Sequence, residues 1–219
     1  MRRLLAIGDI HGCYDSFKKL VEENINLQKR EKLILLGDYI DRGPQSKDVV
    51  DYILKLQEDG FDVIPIKGNH EAMLLEAYSN KDHVSRWIQN GGGKTLSSFG
   101  IDSIGDLDPR YLEFFSNLCM YYEFDNYIFV HAGFNNDIDN PFEDSYHMLW
   151  KCRNEYSNPT LKDKVIIHGH CTVSVNTCDE RIRNNHDVLN LDTGRVYSGY
   201  SKYGRLTALE LYTRTIYFD

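Results

Sequence analysis

The stretch KLILLGDYIDRG, residues 32–43, changes from apolar to charged within a few residues. Its apolar half predicts a buried β-strand, and its second half brings two carboxylates and a guanidinium together at Asp38, Asp41 and Arg42. A surface turn can hold these charges at little cost, whereas a metal site that binds phosphate requires them. The rest of the sequence decides between the two interpretations.

Two other strands in the first part of the chain end in the same way. RLLAIGD (3–9) and FDVIPIKGN (61–69) are apolar runs that finish in polar residues. Segments with apolar residues at helical spacing separate the strands, at 13–27 and 46–60, and a third follows at 70–78. Alternating strands and helices are typical of a parallel sheet of βαβ units, whose carboxyl strand ends share one edge. We therefore expect the three polar clusters to meet at that edge.

The second part of the chain is richer in strands. Residues 80–118 read as helical with a break at NGGGKTLSSFG (90–100), which we interpret as a flexible turn rather than a phosphate-binding loop, because the P-loop spacing is absent. MYYEFDNYIFVHAG (120–133) predicts a hairpin. Further strands are predicted in KVIIHGH (164–170), HDVLNLDTG (186–194), RVYSGY (195–200) and RLTALELYTRTIYFD (205–219). We expect a second, mostly antiparallel sheet packed on the first, in a single domain spanning 1–219.

Composition limits the classes of function. The 219 residues include 42% hydrophobic residues, enough for a sizeable core, and the formal net charge of −8 argues against a nucleic-acid partner. No apolar run approaches the roughly 18 residues of a membrane span, and the N-terminal run stops at Gly8-Asp9, too early for a signal peptide. Five cysteines without a C-x-x-C pair favour reduced thiols. We therefore expect a cytoplasmic protein with no membrane partner.

The polar residues at the strand ends form a candidate metal site. They are Asp9, His11, Asp38, Asn69, His70, His131, His168 and His170. Taken alone, each is more commonly a turn, a helix cap or a hydrogen-bonded structural residue. Together they supply the mixed oxygen and imidazole ligands that suit divalent manganese, iron or zinc. One carboxylate shared by two ions would hold them a few ångströms apart, and Asp38 is central enough in the order to be that carboxylate.

Five short motifs then point to a known family. They are GDIHG (8–12), GDYIDRG (37–43), GNHE (68–71), HAG (131–133) and HGH (168–170). Their order strongly resembles that of the phosphoprotein phosphatase family of calcineurin-like dinuclear metallophosphoesterases, in its compact bacterial and phage form. The resemblance implies an α/β fold, a β-sandwich of two mixed sheets flanked by helices. It also implies two divalent metal ions, for which we expect manganese, with iron or zinc as alternatives.

The resemblance implies six metal ligands. Asp38 would bridge both ions, and the remaining ligands would be Asp9 and His11 for the first ion, with Asn69, His131 and His170 for the second. The family commonly has Gly-His-Thr in its last motif, whereas this chain has Gly-His-Cys. Cys171 therefore departs from the pattern, and His168 stays as the alternative ligand to His170.

The resemblance also implies catalytic roles. Arg42 and Asn69 would bind the phosphate, since a guanidinium fork can hold two phosphate oxygens. Asp41 would pair with His70, so that this imidazole can protonate the leaving alkoxide.

Arg153 is the candidate for a second phosphate-binding arginine. Bacterial relatives tend to place that arginine one residue closer to the tryptophan, which is Trp150 here. An exposed helical arginine without a catalytic role is therefore an equal alternative.

These residues predict a phosphomonoester hydrolase that uses a metal-bridging hydroxide for in-line attack. A serine/threonine protein phosphatase is the preferred interpretation, with a phosphoprotein or a small phosphoester as substrate. Symmetrical diadenosine tetraphosphate hydrolases are the alternative, but they tend to lack an aspartate equivalent to Asp41 and to carry GNHD where Glu71 stands. A catalytically silent metal-binding scaffold is disfavoured, because the proposed acid and phosphate-binding residues are all present. The sequence carries no signal for an oligomeric state.

Overall fold

The first sheet contains the three strands that the sequence predicts near its start. The computed structural model describes residues 2–199 and 202–219. The strands β1 (Leu4–Ile7), β2 (Lys32–Leu35) and β3 (Asp62–Pro65) pair in parallel, in the spatial order β3-β2-β1. Two later strands extend the sheet antiparallel beyond β1, in the order β8 (Thr207–Glu210) and β9 (Thr215–Phe218). The sheet is therefore mixed, with β1 at its centre.

The second sheet has four strands. They are β4 (Tyr121–Phe124), β5 (Tyr127–Val130), β6 (Val165–His168) and β7 (Val188–Asn190), adjacent in that order. The predicted hairpin forms the antiparallel pair of β4 and β5, but β5, β6 and β7 are parallel. The expectation of a mostly antiparallel sheet is therefore wrong. Long connections containing α7 (Ser145–Trp150) and α8 (Val175–Arg183) return the chain to the same end of the sheet, which is what parallel strands require.

The last predicted strands also depart from expectation. The β8–β9 hairpin joins the first sheet instead of the second. The segment RVYSGY forms a 3₁₀ turn at Arg195–Tyr197, and its last residue, Tyr200, lies outside the described residues.

Six α-helices lie between β1 and β4 in the chain. They are α1 (Tyr14–Lys19), which continues as a π-helical turn at Leu20–Asn24, α2 (Ser46–Glu58), α3 (Asn69–Ser79), α4 (Val84–Trp87), α5 (Gly93–Phe99) and α6 (Pro109–Asn117). Three of the apolar residues that the sequence places on one face of α2, Val49, Val50 and Ile53, are fully buried. They share a core with the first sheet, so this helix is held mainly by its apolar face.

Strand β1 is buried on both of its faces. Leu5 and Ile7 pack under the helices, whereas Leu4 and Ala6 face the second sheet together with Phe129. Side chains alternate between the two faces of a strand, so a strand covered on both sides reads as a continuous apolar run. The predicted sandwich of two mixed sheets flanked by helices is confirmed. No helix within residues 2–199 and 202–219 is long and apolar enough to cross a membrane.

The cysteines do not all remain free thiols. Cys152 and Cys171 form a disulfide, while Cys13, Cys119 and Cys178 are free. The expectation of reduced thiols is therefore wrong for this pair. The chain after α7 packs on the turn after β6, and this tertiary contact joins two cysteines 19 residues apart in sequence.

Candidate metal centre

Asp38 lies at the centre of a buried group of histidines. Its Oδ2 is 3.5 Å from His11 Nε2 and 3.9 Å from His70 Nε2, and its Oδ1 is 3.5 Å from His131 Nε2. The possible ligand atoms fall into two groups, His11–Asp38–His70 and Asp38–His131–His170, each within 4.8 Å. The residues that directly follow β1, β2, β3, β5 and β6 all contribute side chains to this group, at the carboxyl ends of the strands. Asp38 belongs to both groups, which is the geometry that a bridging carboxylate needs.

Backbone carbonyls orient two of the imidazoles. Nδ1 of His11 donates to the Ile40 carbonyl at 2.9 Å, and Nδ1 of His131 donates to the Leu36 carbonyl at 2.8 Å. A carbonyl oxygen only accepts, so Nδ1 carries the proton and Nε2 offers its lone pair toward Asp38. Burial lowers the pKa of His11 to about 3, which keeps its imidazole in the neutral form that binds metals.

Electron-pair donors converge around His131. Its Nε2 is 2.9 Å from Asn69 Oδ1 and 3.2 Å from His170 Nδ1. Asn69 Oδ1 and the lone pair of His131 Nε2 are both acceptors, so neither supplies a proton and the two atoms repel each other. A cation bound by both atoms would remove this repulsion. Burial lowers the pKa of His170 to about 4, so this imidazole is uncharged as well. This set of an oxygen, two imidazoles and the Asp38 carboxylate fits a divalent first-row metal.

Asp9 lies beside these groups but belongs to neither group of three. Its Oδ1 and Oδ2 accept the backbone N–H of His170 at 3.1 and 3.2 Å. Burial, followed by the charges of Asp192 and Asp38, raises the pKa of Asp9 well above its usual range. Neighbouring buried carboxylates repel each other, and a cation among them reverses that effect. Asp9 therefore also fits a metal site.

Asp38 itself remains ionised. Burial alone would raise its pKa, but the charges that His131, His70 and His11 carry when protonated outweigh burial and hold the pKa below its usual range. A permanent negative charge at this position is what two shared cations would need.

His70 and Asp41 form a buried pair next to Asp38. Nδ1 of His70 is 2.7 Å from Asp41 Oδ2, and the same carboxylate accepts from Thr95 Oγ1 at 2.6 Å and Trp87 Nε1 at 3.0 Å. Within the described ranges, Nε2 of His70 has no hydrogen-bond partner although it is buried. Burial alone would lower the pKa of His70, but Asp38 and Asp41 outweigh it and raise the pKa. The free Nε2 can therefore carry a proton at the edge of the site.

Sequence reasoning missed Thr95 and Trp87. Thr95 lies in the glycine-rich break, whose Gly91 has φ +109° and accepts the Arg42 N–H at 3.4 Å. The expected flexible turn is wrong for most of this stretch, because the helical path breaks at Gly91 and residues Gly93–Phe99 form α5, which packs on the residues beside Asp38. The available sequence signal is a threonine two residues after the three glycines.

Arg42 reaches the same pocket from the turn after Asp38. Its Nη1 is 2.7 Å from His11 Nε2, and its guanidinium lies 5.9 Å from the ring centre of Tyr197. Asp38, Asp41 and Arg42 have φ values of 53°, 68° and 65°, a left-handed region that non-glycine residues occupy at an energetic cost. This strained turn directs the side chains of Asp38, Asp41 and Arg42 toward the same pocket.

The Glu71 carboxylate stabilises this turn by accepting hydrogen bonds from its backbone. Its Oε2 accepts the N–H of Asp38 and Gly68, both at 2.9 Å, and its Oε1 accepts those of Tyr39 at 2.8 Å and Ile40 at 3.4 Å. Two N–H groups on each oxygen require the ionised carboxylate, although burial and the Asp38 charge raise the Glu71 pKa to about 8. The sequence drew attention to Glu71 as part of a motif without indicating this role.

Two of the residues predicted from the sequence, His168 and Arg153, lie outside the two groups of possible ligands. His168 is buried, its Nδ1 donates to the Gly169 carbonyl at 3.0 Å, and it belongs to neither ligand group. Arg153 follows the end of α7 in a loop and is half-buried, so it is not the helical arginine of the alternative. Its Nη2 lies 3.8 Å from an Asp137 carboxylate oxygen.

The comparisons with known proteins agree with this geometry. The family model described as calcineurin-like phosphoesterase matches residues 2–206. The chain belongs to this family. The membership predicted from the five motifs is therefore confirmed.

Three curated relatives are similar over part of their length. The zinc-dependent endopolyphosphatase of Saccharomyces cerevisiae is 42% identical over 47% of this chain and 30% of its own length. Serine/threonine-protein phosphatase 2 of Escherichia coli is 40% identical over 42% of this chain and 39% of its own length. The symmetrical bis(5'-nucleosyl)-tetraphosphatase of Wigglesworthia glossinidia brevipalpis is 46% identical over 33% of this chain and 26% of its own length. The matches thus span well under half of each relative.

A solved structure supports the fold. A protein serine/threonine phosphatase from Saccharomyces cerevisiae, described as similar to human phosphatase PP5, superimposes with a TM-score of 0.66 at 14% identity. The alignment covers 95% of this chain and 73% of that one. At this identity the likeness concerns the fold alone.

Proposed function

We propose that this chain is a single-domain, metal-dependent phosphomonoester hydrolase, with phosphoserine or phosphothreonine in proteins as its preferred substrate. The observation that carries the proposal is the position of His70. Its Nε2 has no hydrogen-bond partner within the described residues and lies 3.9 Å from Oδ2 of Asp38, the residue that both groups of potential ligands share. An acid at the edge of a metal site is what protonation of a leaving alkoxide requires.

The proposed ligands are those that the sequence analysis names, with Asp38 as the bridge between two ions. Asp9 and His11 would hold the first ion, and Asn69, His131 and His170 would hold the second. When bound, such ions lower the pKa of a water molecule and neutralise phosphate charge. We propose manganese as the metal pair, with iron or zinc as alternatives.

The chain's own residues would then perform the other tasks. Arg42 would hold phosphate oxygens, since its guanidinium already reaches into the pocket beside His11. Asp41 would keep Nδ1 of His70 protonated and its ring fixed, and Nε2 would deliver the proton to the leaving group. Arg153 would supply a second phosphate contact from the loop after α7.

A symmetrical dinucleoside tetraphosphate hydrolase is the second candidate. The similarity to the Wigglesworthia enzyme favours it. The presence of Asp41, bonded to His70 at 2.7 Å, favours the phosphatase instead, because those hydrolases tend to lack this aspartate. A catalytically silent scaffold is the third candidate and predicts no metal-dependent turnover.

We also propose a cytoplasmic location. Three of the five cysteines are free thiols, which fits a reducing compartment. The Cys152–Cys171 disulfide fits it only if it forms and opens reversibly.

The test is turnover with added Mn²⁺, comparing wild type with His70→Asn on two substrates. On a phosphoserine peptide we expect kcat to fall by roughly 10²-fold or more, because a general acid is lost. On p-nitrophenyl phosphate the fall is smaller, because this leaving group needs little protonation. Bound metal, measured by elemental analysis, should stay near the wild-type level.

His186→Asn is the matched control, since His186 is exposed and outside both ligand groups. It should behave as wild type on both substrates. Absence of Mn²⁺-dependent turnover in the wild type would favour the scaffold. Faster hydrolysis of diadenosine tetraphosphate than of phosphopeptide would favour the second candidate.

A further inference from the structure

A disulfide joins two segments next to the candidate metal centre. Cys152 belongs to a segment that we name the arginine arm, residues 151–156, and it directly precedes Arg153. Cys171 directly follows His170, the proposed ligand of the second ion. The bond therefore connects the arm that carries a candidate phosphate-binding residue to the turn that carries a candidate metal ligand.

The arginine arm is also held after Arg153, where Arg181 Nη2 donates to the Asn154 carbonyl at 3.0 Å and the Tyr156 ring packs on a buried apolar cluster. Its residues form neither helix nor strand. At its end, the Tyr156 hydroxyl accepts the Phe134 N–H at 3.1 Å. The partner of Arg153 is Asp137, whose side chain is 84% exposed, so this ion pair is weak. The disulfide adds a covalent connection from Cys152, next to Arg153, to the turn that carries His170.

The arm also passes close to the turn on which it is fixed. Cys152 Sγ lies 3.7 Å from the Gly169 carbonyl oxygen, in the turn between the two histidines. Just before the arm, the Trp150 ring meets the His170 ring edge-on, with 6.1 Å between centroids. A change in the arm's position would therefore alter the packing around His170, the proposed metal ligand.

Within the pair, Cys171 is the accessible cysteine, whereas Cys152 is half-buried. Cys171 is exposed, whereas Cys13 and Cys119 are half-buried and Cys178 is buried. Burial raises the pKa of the Cys13 thiol to about 11 and that of Cys178 to about 12, so these thiols react slowly. A small thiol in solution can therefore reach Cys171 without opening the fold.

We propose that Cys152 and Cys171 form a reversible thiol–disulfide modification site that positions Arg153 for phosphate binding. This inference rests on the proposed function. A small thiolate attacks the exposed Cys171 sulfur, the S–S bond breaks, and Cys152 leaves as a thiolate. A second small thiolate then attacks the mixed disulfide and releases Cys171. Overall, two small thiols become one disulfide, and both cysteines take up protons.

The oxidised form holds Cys152, and with it Arg153, beside the centre, and the reduced form removes this constraint. Phosphate binding is then weaker in the reduced form, because the guanidinium of Arg153 must be ordered each time phosphate binds. A misplaced binding group of this kind costs about tenfold or more in binding or rate.

Two measurements test the proposal on the Mn²⁺-loaded protein. Alkylation in denaturant followed by mass spectrometry should label three cysteines after equilibration with glutathione disulfide, and five after equilibration with reduced glutathione. Calorimetric titration with inorganic phosphate should show affinity about tenfold weaker in the reduced form.

Variants separate the disulfide from other effects of the reductant. Cys152→Ser and Cys171→Ser should bind phosphate as weakly as reduced wild type in both glutathione buffers. Cys119→Ser, a half-buried cysteine outside the disulfide, should respond to reduction as the wild type does. Arg153→Ala should bind phosphate weakly and lose the response to reduction.

The outcomes distinguish this inference from the proposed function. Five labelled cysteines in both buffers, or equal phosphate affinity in both forms, would overturn the modification site while Mn²⁺-dependent hydrolysis could still stand. A redox-dependent phosphate affinity without hydrolysis would support the site and refute the enzyme. An Arg153→Ala variant that keeps the full response would remove Arg153 from the proposal.

Discussion

Replacement of Glu71 by glutamine should destabilise the turn that carries Asp38. The carboxylate accepts four backbone N–H groups, two on each oxygen. Glutamine keeps one oxygen and turns an NH₂ group toward the other two donors. A buried donor left without an acceptor costs about 1–3 kcal/mol, so two of them give roughly 3 kcal/mol.

The assay is thermal unfolding of the metal-free protein, followed by Mn²⁺ titration. A loss of about 3 kcal/mol corresponds to a fall in Tm of roughly 6–12 °C for a protein of this size. Mn²⁺ affinity should also decrease, because Asp38 lies in the turn that loses its support. The matched control is Glu76→Gln on the same helix, since Glu76 is exposed and forms only surface contacts with His83 and Arg86. We expect that control to change stability by less than about 1 kcal/mol.

A Glu71→Gln variant with wild-type Tm and wild-type Mn²⁺ affinity would refute this reasoning. It would mean that the four hydrogen bonds contribute nothing that an amide cannot replace. Reduced Tm with unchanged Mn²⁺ affinity would limit the role of Glu71 to the fold and remove it from the placement of Asp38.

Three further substitutions test the centre and the core. Asp38→Asn should abolish Mn²⁺-dependent turnover and lower the metal content, because the shared charge is lost; two retained ions by elemental analysis would contradict the bridging role. Arg42→Ala should reduce kcat/KM by about 10²-fold, as a charge-assisted phosphate contact disappears, and unchanged kinetics would exclude it from phosphate binding. Phe129→Ala, at a side chain fully buried between the sheets, should lower the free energy of unfolding by about 3–5 kcal/mol in urea titrations.

The early strands and the strand-end clusters could be predicted because their signals are local. An apolar run such as Leu33 to Leu36 followed by Gly37 and Asp38 shows both the strand and its end in consecutive residues. The carboxyl ends of parallel strands share an edge, so the meeting of His11 with Asp38 also followed from that alternation.

What could not be predicted depends on contacts between distant parts of the chain. Trp87 and Thr95 bond to Asp41 across 46 and 54 residues, and neither lies in a motif. The sequence of the C-terminal hairpin has the alternation of a β-strand, but it does not indicate which of the two sheets the hairpin joins. The partner of a strand edge is a tertiary choice, and so is the pairing of Cys152 with Cys171.

The central position of β1 has a consequence for the order in which the molecule assembles during synthesis. β1 pairs with β8, and the Gly8 N–H donates to the Thr207 carbonyl at 3.1 Å. On the ribosome, the edge that β8 covers stays open until about 200 further residues have been made. Asp9 directly follows β1, so its environment is completed only after β8 has been synthesised and has paired with β1. A nascent chain therefore exposes an apolar strand edge for most of its translation, and chaperones that recognise such edges would have their natural target there.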